Sequence, residues 1–397
     1  DTNKVKILNL LSEKAGWRVG KHDTAIILAN EASTLAKRLG FEQGIAQAHS
    51  HIGLAYMQLG SLDSAMAEHE AALRIRQRLD DKAGIANSYG NIGHVHKNRG
   101  ELEESIRYYL LAVAMDKAAG KMSSMANWYN HMGAVQLTLG DFPKAMETNL
   151  MALRIQETEG DSSGMTYSYN NIAIIHLKQK AYAEALVNCN KSLGILVQTG
   201  NKRGMANTRI KLGNIHKAMG EIDAAFENYT AALLLYEEAG DQKQIAACHG
   251  NIGTLYKEKG DLEQSLKSQL FALEIFKNIG DQNGEMISYA NIGGVYMDMG
   301  DAAAAVKWYH IGLNMAEQLG SDHSAMELCK GLMDGYVAMG DHRSALASYQ
   351  QHIAYRDSLY NEENTKKLTK LEMQYSFDKK EAATLAEQEK KDELALQ

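Results

Sequence analysis

The sequence predicts an all-α solenoid of helical hairpins. Three observations predict it: a single proline in 397 residues, an excess of glycine, and the regular spacing of those glycines. Average usage of about 5% proline and 7% glycine would give roughly 20 and 28 residues. The chain has 1 and 34. A chain so poor in proline is free to be helical nearly throughout, whereas each glycine inside a helix costs up to ~1 kcal/mol. The glycines therefore belong between helices, and many short helices follow. Length alone, at roughly 150 residues per domain, suggests two or three globular units; the punctuation predicts one continuous array instead.

The helix ends come first. Gly stands at 20, 40, 60, 100, 120, 140, 160, 200, 220, 240, 260, 280, 300, 320 and 340, with only Asp80 and Lys180 breaking the 20-residue series. The next residue is usually a capping type: Ser61, Asp81, Asp141, Asp161, Asn201, Asp241, Asp261, Asp281, Asp301, Ser321 or Asp341. A left-handed glycine closes one helix without a Cβ clash, and the following side-chain oxygen caps the free N–H groups of the next. The lone Pro143 falls in a first turn, two residues after Asp141, where a missing N–H costs little.

Alternate segments differ, so the unit is a 40-residue hairpin. Its first helix carries GNIGHVH (90–96), NNIAIIH (170–176), GNIGTLY (250–256) and ANIGGVY (290–296), with weaker versions at 50–56, 130–136 and 210–216. The mid-helix glycines 53, 93, 133, 213, 253 and 293 are expected where a neighbouring helix backbone approaches closely. The second helix carries small residues seven apart: Ala65 and Ala72, Ser105 and Ala112, Ala145 and Ala152, Ala225 and Ala232, Ser265 and Ala272. They share one face and suit tight antiparallel packing.

Strings such as Tyr89-x2-Ile92-Gly93-x2-His96 and Tyr289-x2-Ile292-Gly293-x2-Tyr296, with Ser105 or Ala305 nine residues later, resemble the tetratricopeptide repeat signature. The unit is 40 residues rather than the usual 34, similar to the longer-helix variants of Pins-type polarity adaptors. The resemblance covers 1–359, about nine repeats, and implies a right-handed superhelix. Repeats one and nine depart from it, with Glu13 and Met333 in the glycine position, as end caps should.

Residues 360–397 change to charged helix formers. Leu368, Leu371, Tyr375, Ala382 and Leu385 follow a 3-4 spacing interrupted by Asp378, Glu389 and Asp392. Two readings stay open, a solvated capping helix or a coiled-coil linker that pairs two copies. The array with this tail resembles the extracytoplasmic sensor region of bacterial membrane-bound TPR signalling proteins, whose outputs are histidine kinases, nucleotide cyclases or phosphatases. The resemblance implies a periplasmic location and a membrane attachment outside this stretch; the beginning at Asp1 and the end at Gln397 read as those of a trimmed fragment. The alternative is a cytoplasmic scaffold that assembles protein complexes.

In such arrays the first helices line the concave surface, and the residue two before the central glycine points into it. That column reads His51, Asn91, His131, Asn171, Lys211, Asn251, Asn291 and Gly331, with Asn87, Asn127, Asn130 and Asn207 one turn earlier. An Asn amide both donates and accepts, so a column of them suits an extended peptide backbone. Four rungs at ~1 kcal/mol each give only about millimolar affinity, so side-chain pockets must add to them. The competing reading is that these asparagines bond within the hairpins.

Other chemistries are excluded. With 42 basic and 49 acidic residues interspersed, the net charge is −7, and no basic tract marks a nucleic-acid surface. Three scattered cysteines, Cys189, Cys248 and Cys329, make neither a disulfide framework nor a zinc site. His49-x-His51 and His94-x-His96 are two apart, whereas helical metal pairs are four apart; His96, His176 and His216 occupy a packing slot that is elsewhere Tyr. Only Lys211 and Lys330 fall on the relevant turn, too few for a carboxylate clamp. No catalytic constellation, metal or cofactor is implied, and the expected partner is a protein or peptide.

Overall fold

The computed structural model describes residues 1–16 and 21–359. The tail at 360–397, with its proposed coiled coil, lies outside the described residues. Helices separated by tight turns account for nearly all of them, and the described residues contain no strand. They pack as two compact units, 1–204 and the residues from 205 onward.

The first unit is a stack of five hairpins. These are α1 (Thr2–Gly16) with α2 (His22–Arg38), α3 (Glu42–Gln58) with α4 (Leu62–Arg78), α5 (Lys82–Asn98) with α6 (Leu102–Ala118), α7 (Met122–Thr138) with α8 (Phe142–Glu159), and α9 (Ser162–Lys178) with α10 (Tyr182–Gln198). The second unit continues the pattern. It comprises α11 (Lys202–Ala218) with α12 (Ile222–Ala239), α13 (Gln242–Glu258) with α14 (Leu262–Ile279), α15 (Gln282–Asp298) with α16 (Ala302–Gln318), and α17 (Asp322–Ala338) with α18 (342–359). No helix of the described residues is long and apolar enough to cross a membrane.

The turns follow the sequence logic. Every described grid glycine is left-handed, from Gly40 at φ 62° to Gly260 at 81°. Asp80 (φ 49°) and Lys180 (φ 60°) hold the same conformation without being glycine. Asp81, Asp161 and Asp301 accept from the N–H three residues on at 2.9 Å. Asn201 and Asp341 do the same, and Pro143 lies in the first turn of α8. Ser61 and Ser321 make no side-chain cap bond; the Ser321 hydroxyl donates to Ser324 Oγ instead.

The core also corrects one expectation. The small pairs of the second helices are fully buried, Ala65, Ala72, Ser105, Ala112, Ala225 and Ala232 all at 0% exposure. What comes nearest to the mid-helix glycines, however, is a side chain sixteen residues later, although at Gly93 the Ser105 carbonyl oxygen of the neighbouring helix also lies within 3.3 Å of a built Cβ. A Cβ on Gly53 would lie 2.5 Å from the His69 ring, on Gly133 2.2 Å from the Asn149 amide, and on Gly293 2.5 Å from the Tyr309 ring. Tyr109, Tyr229 and Gln269 face Gly93, Gly213 and Gly253 in the same way. Where the glycine is missing the partner shrinks: Ala173 goes with Cys189 and Glu13 with Ala29, both partners at 0% exposure. Met333 instead goes with Tyr349, which turns outward to 46% exposure. Six of the hairpins are thus locked by one glycine-shaped hole and one side chain that fills it.

Candidate functional site

The predicted column lies in the middle of the first helices, and its members meet different fates. In the first unit the half-buried Asn171 bonds across to the preceding hairpin, donating to Asn149 Oδ1 at 2.9 Å and to the Asn130 carbonyl at 3.3 Å. Asn130 itself is buried and accepts from the Ser168 hydroxyl. In the second unit Asn291 donates to Gln269 Oε1 at 3.3 Å, and Asn207 Oδ1 accepts from the Tyr236 hydroxyl at 2.6 Å. Lys211 reaches the Asn207 carbonyl at 3.4 Å. Gly331 abuts the Tyr309 ring, which a Cβ there would meet at 2.8 Å. The competing within-hairpin reading therefore holds for Asn207 alone, whereas Asn130, Asn171 and Asn291 are used up by bonds to the neighbouring hairpin.

Asn91 and Asn251 stay half-buried, and neither amide makes a hydrogen bond to a described residue. Asn87 and Asn127, one turn earlier, are exposed and equally unbonded. Those two share their slot with Tyr167, 65% exposed, and in the second unit with Ile287, 56% exposed. The sequence reading followed asparagines and passed over these apolar members of the same column. Reading every residue of the 40-residue slot would have found them.

Histidines give the first unit its electrostatic character. His94 and His131 meet edge to face at 4.5 Å, Tyr109 stacks on His131 at 5.9 Å, and the Tyr109 hydroxyl is hydrogen-bonded to His94 Nδ1 at 2.7 Å. Trp128 closes the cluster and donates from its indole to the buried Asp116 carboxylate at 2.8 Å. Burial, with the neighbouring His131 and Lys97 charges, holds the His94 pKa down to about 3. Desolvation by the surrounding rings, with the Lys97 charge, lowers the pKa of His131, which keeps an exposed edge, to about 4. His69 is fully buried with neither ring nitrogen bonded to a described residue, and its pKa falls to about 4. His51 is likewise unbonded; burial lowers its pKa, and it lines a recess of about 80 Å3 with Ser12, Glu13 and Gln58. These imidazoles are neutral near pH 7 and can accept hydrogen bonds.

His96 and His216 do pack in the repeat slot, and each also hydrogen-bonds a glutamate five residues on, Glu101 and Glu221. No group of three or more His, Cys, Asp or Glu among the described residues is arranged to hold a metal ion. All three cysteines are buried thiols.

The second unit carries a feature the sequence reading missed. A polar recess of about 120 Å3 opens between α13 and α15, walled by Thr254 and Lys257 on one side and Ala290, Asn291 and Gly294 on the other, with Gln269 and Val295 beneath. Lys257 donates to the Gly294 carbonyl at 3.2 Å and pairs with Asp298 at 3.3 Å. It lies a turn beyond the column that was read for lysines.

The hairpin geometry, the glycine locks and the 40-residue register agree with one family model, that of the tetratricopeptide repeat, which matches residues 44–118, 162–238 and 204–278. The repeats are tetratricopeptide repeats. The TPR array is similar to a Rap protein solved in complex with competence and sporulation factor, at 14% identity over 91% of this chain and 99% of that one, with a TM-score of 0.61. It is similar to the apo quorum sensor NprR from B. thuringiensis, at 14% identity over 89% and 99% of the two chains and a TM-score of 0.61. A STAND protein with a TPR sensor from Pyrococcus horikoshii matches at 14% identity and a TM-score of 0.59 over 87% of this chain and 54% of that one. At these identities the likeness establishes the TPR fold alone. No curated protein sequence matches the chain.

Proposed function

We propose that this TPR array is the ligand-binding part of a bacterial signal-transduction protein, holding an extended peptide or partner segment along the first-helix face. The observation that carries this reading is the set of amides left without a partner on that face, Asn87, Asn91 and Asn127 in the first unit and Asn251 in the second. Hairpin packing uses up the amides of Asn171 and Asn291, so the free ones are not needed for the fold. Each can donate to and accept from one peptide unit. First helices spaced by roughly 10 Å match about three residues of extended chain per rung. Two such rungs contribute about 2 kcal/mol, so affinity must come chiefly from side-chain contacts such as Tyr167 and Ile287 beside them.

The Rap protein was solved in complex with competence and sporulation factor and NprR is described as a quorum sensor, which supports a ligand-binding reading of the shared fold. In this proposal the array faces the extracytoplasmic side of a membrane, and residues 360–397 pass its bound state to an output domain while bringing two copies together. The test is a peptide selected for binding from a random display library. Asn91→Ala with Asn127→Ala, both in the first unit, should weaken it at least tenfold, and unchanged affinity would dismiss the ladder. The parent gene separates the sensor from a soluble adaptor: about 20 apolar residues soon after Gln397 followed by a catalytic domain support the sensor, and a stop codon there overturns it.

A further inference from the structure

The recess of the second unit exists because one column of the repeat loses its bulk twice in succession. The slot holds Lys14, Leu54, His94, Ala134 and Ile174 in the first unit and Asn214, Thr254, Gly294 and Asp334 in the second, so that only at Thr254 and Gly294 do a short side chain and none at all stand on successive first helices of one unit. In the first unit that slot is used for packing, as His94 does against His131. At Gly294 no side chain enters, and the nearest atom to a built Cβ would be Lys257 Nζ at 3.1 Å.

The hydrogen bonds at the floor fix what the recess presents. Gln269 donates through Nε2 to the Gly250 carbonyl at 2.9 Å, so its Oε1 must face the other way. That oxygen accepts from Asn291 Nδ2 at 3.3 Å, which leaves Oδ1 of Asn291, a lining residue of the recess, as an acceptor unused by any described residue. Opposite it stands the Lys257 ammonium, with one proton on the Gly294 carbonyl and Asp298 beside it, and the Thr254 hydroxyl, which donates to the Gly250 carbonyl and keeps its lone pairs. Lys257 supplies a donor and Asn291 an acceptor. The Lys257 charge is already balanced by Asp298, so a carboxylate entering would meet Asp298 and an ammonium would meet Lys257.

We infer that this recess is a binding site for an uncharged carboxamide, the side chain of an Asn or Gln in a ligand lying on the first-helix face. The amide oxygen accepts from Lys257 Nζ, and the amide nitrogen donates to Asn291 Oδ1. That the carboxamide belongs to a peptide rests on the proposed function; the chemistry of the recess does not.

Acetamide, acetate and methylammonium are the probes, titrated into the full chain while the Gly294 N–H and the Asn291 side-chain amide are followed by NMR. Acetamide should shift both signals saturably and bind more tightly than either ion. Gly294→Leu, which fills the recess and removes a helix-breaking residue, should weaken acetamide at least tenfold while the fold persists. Tighter binding of acetate or methylammonium, no saturable shift with acetamide, or equal acetamide binding by Gly294→Leu would each overturn the inference. A capped Gly-Gly-Asn-Gly-Gly peptide separates the two proposals. If it binds no more tightly than acetamide, the peptide reading fails and the recess stands. If it binds tightly but is indifferent to Gly294→Leu, the recess fails and the peptide reading stands.

Discussion

The ring of Tyr229 occupies the space that a side chain on Gly213 would need, since a methyl group built there would lie 2.5 Å from the ring. The same lock recurs in five other hairpins, whose fillers, His69, Tyr109, Asn149, Gln269 and Tyr309, differ in size and polarity and are all removed from solvent. The repeat conserves the hole within this chain and lets its filler vary.

Gly213→Ala should therefore destabilise the array by about 1–3 kcal/mol through overpacking, although alanine is the better helix former. Tyr229→Cys alone should also cost stability, because it empties the hole and removes the 2.6 Å bond to Asn214. The double variant copies the Ala173 and Cys189 hairpin, so its loss should fall short of the sum of the two by at least ~1 kcal/mol. Urea unfolding of the four proteins checks this, and simple additivity would refute the lock.

Lys180→Gly should stabilise the protein. Lys180 holds φ at 60° in a turn where every other described grid position except Asp80 is glycine, and a left-handed side chain costs about 1–2 kcal/mol, offset in part by the greater unfolded-state entropy of glycine. A net gain of about 0.5–1 kcal/mol is expected. Asp80→Gly should gain less, because a short polar side chain tolerates this conformation better. Thermal unfolding of both variants reads the difference directly.

Stability should fall as the solution is acidified from neutrality. His69 is buried and neutral, with its pKa lowered from 6.5 to about 4. Between those values the unfolded chain binds a proton that the folded chain refuses, so stability is intact above pH 6.5 and is lost progressively down to about pH 4. At the low end this residue alone accounts for about 3 kcal/mol. His94 and His131 add in the same direction. His69→Gln, the residue the slot carries at Gln269, should flatten the pH dependence of urea midpoints over this range, and an unchanged slope would count against it.

Asn171 and Asn91 should separate stability from binding. Asn171→Ala removes a bond to Asn149 and one to the Asn130 carbonyl and should cost about 1 kcal/mol or more of unfolding free energy. Asn91→Ala removes none to a described residue and should stay within ~0.5 kcal/mol of the parent. Its effect should appear in the affinity for a selected peptide. Equal stabilities for the two variants would contradict the division of roles.

The sequence by itself determined the helices, their ends and their register. Left-handed glycines at fixed intervals, followed by Asp81, Asp161 or Asp301, act through local backbone geometry and hydrogen bonds within four residues, so spacing alone reveals them. The small pairs Ala65 and Ala72, or Ala225 and Ala232, were legible for the same reason, as a helix fixes which residues share a face. Tertiary structure decided the rest. Whether an asparagine stays open to a ligand or is bonded into the array depends on a partner 22 to 41 residues away: Asn149 and Gln269 claim Asn171 and Asn291, and no described residue claims Asn91 or Asn251. The recess beside Lys257 likewise arises only where Thr254 and Gly294 stand on neighbouring helices, because a void is a property of packed surfaces and not of any single residue.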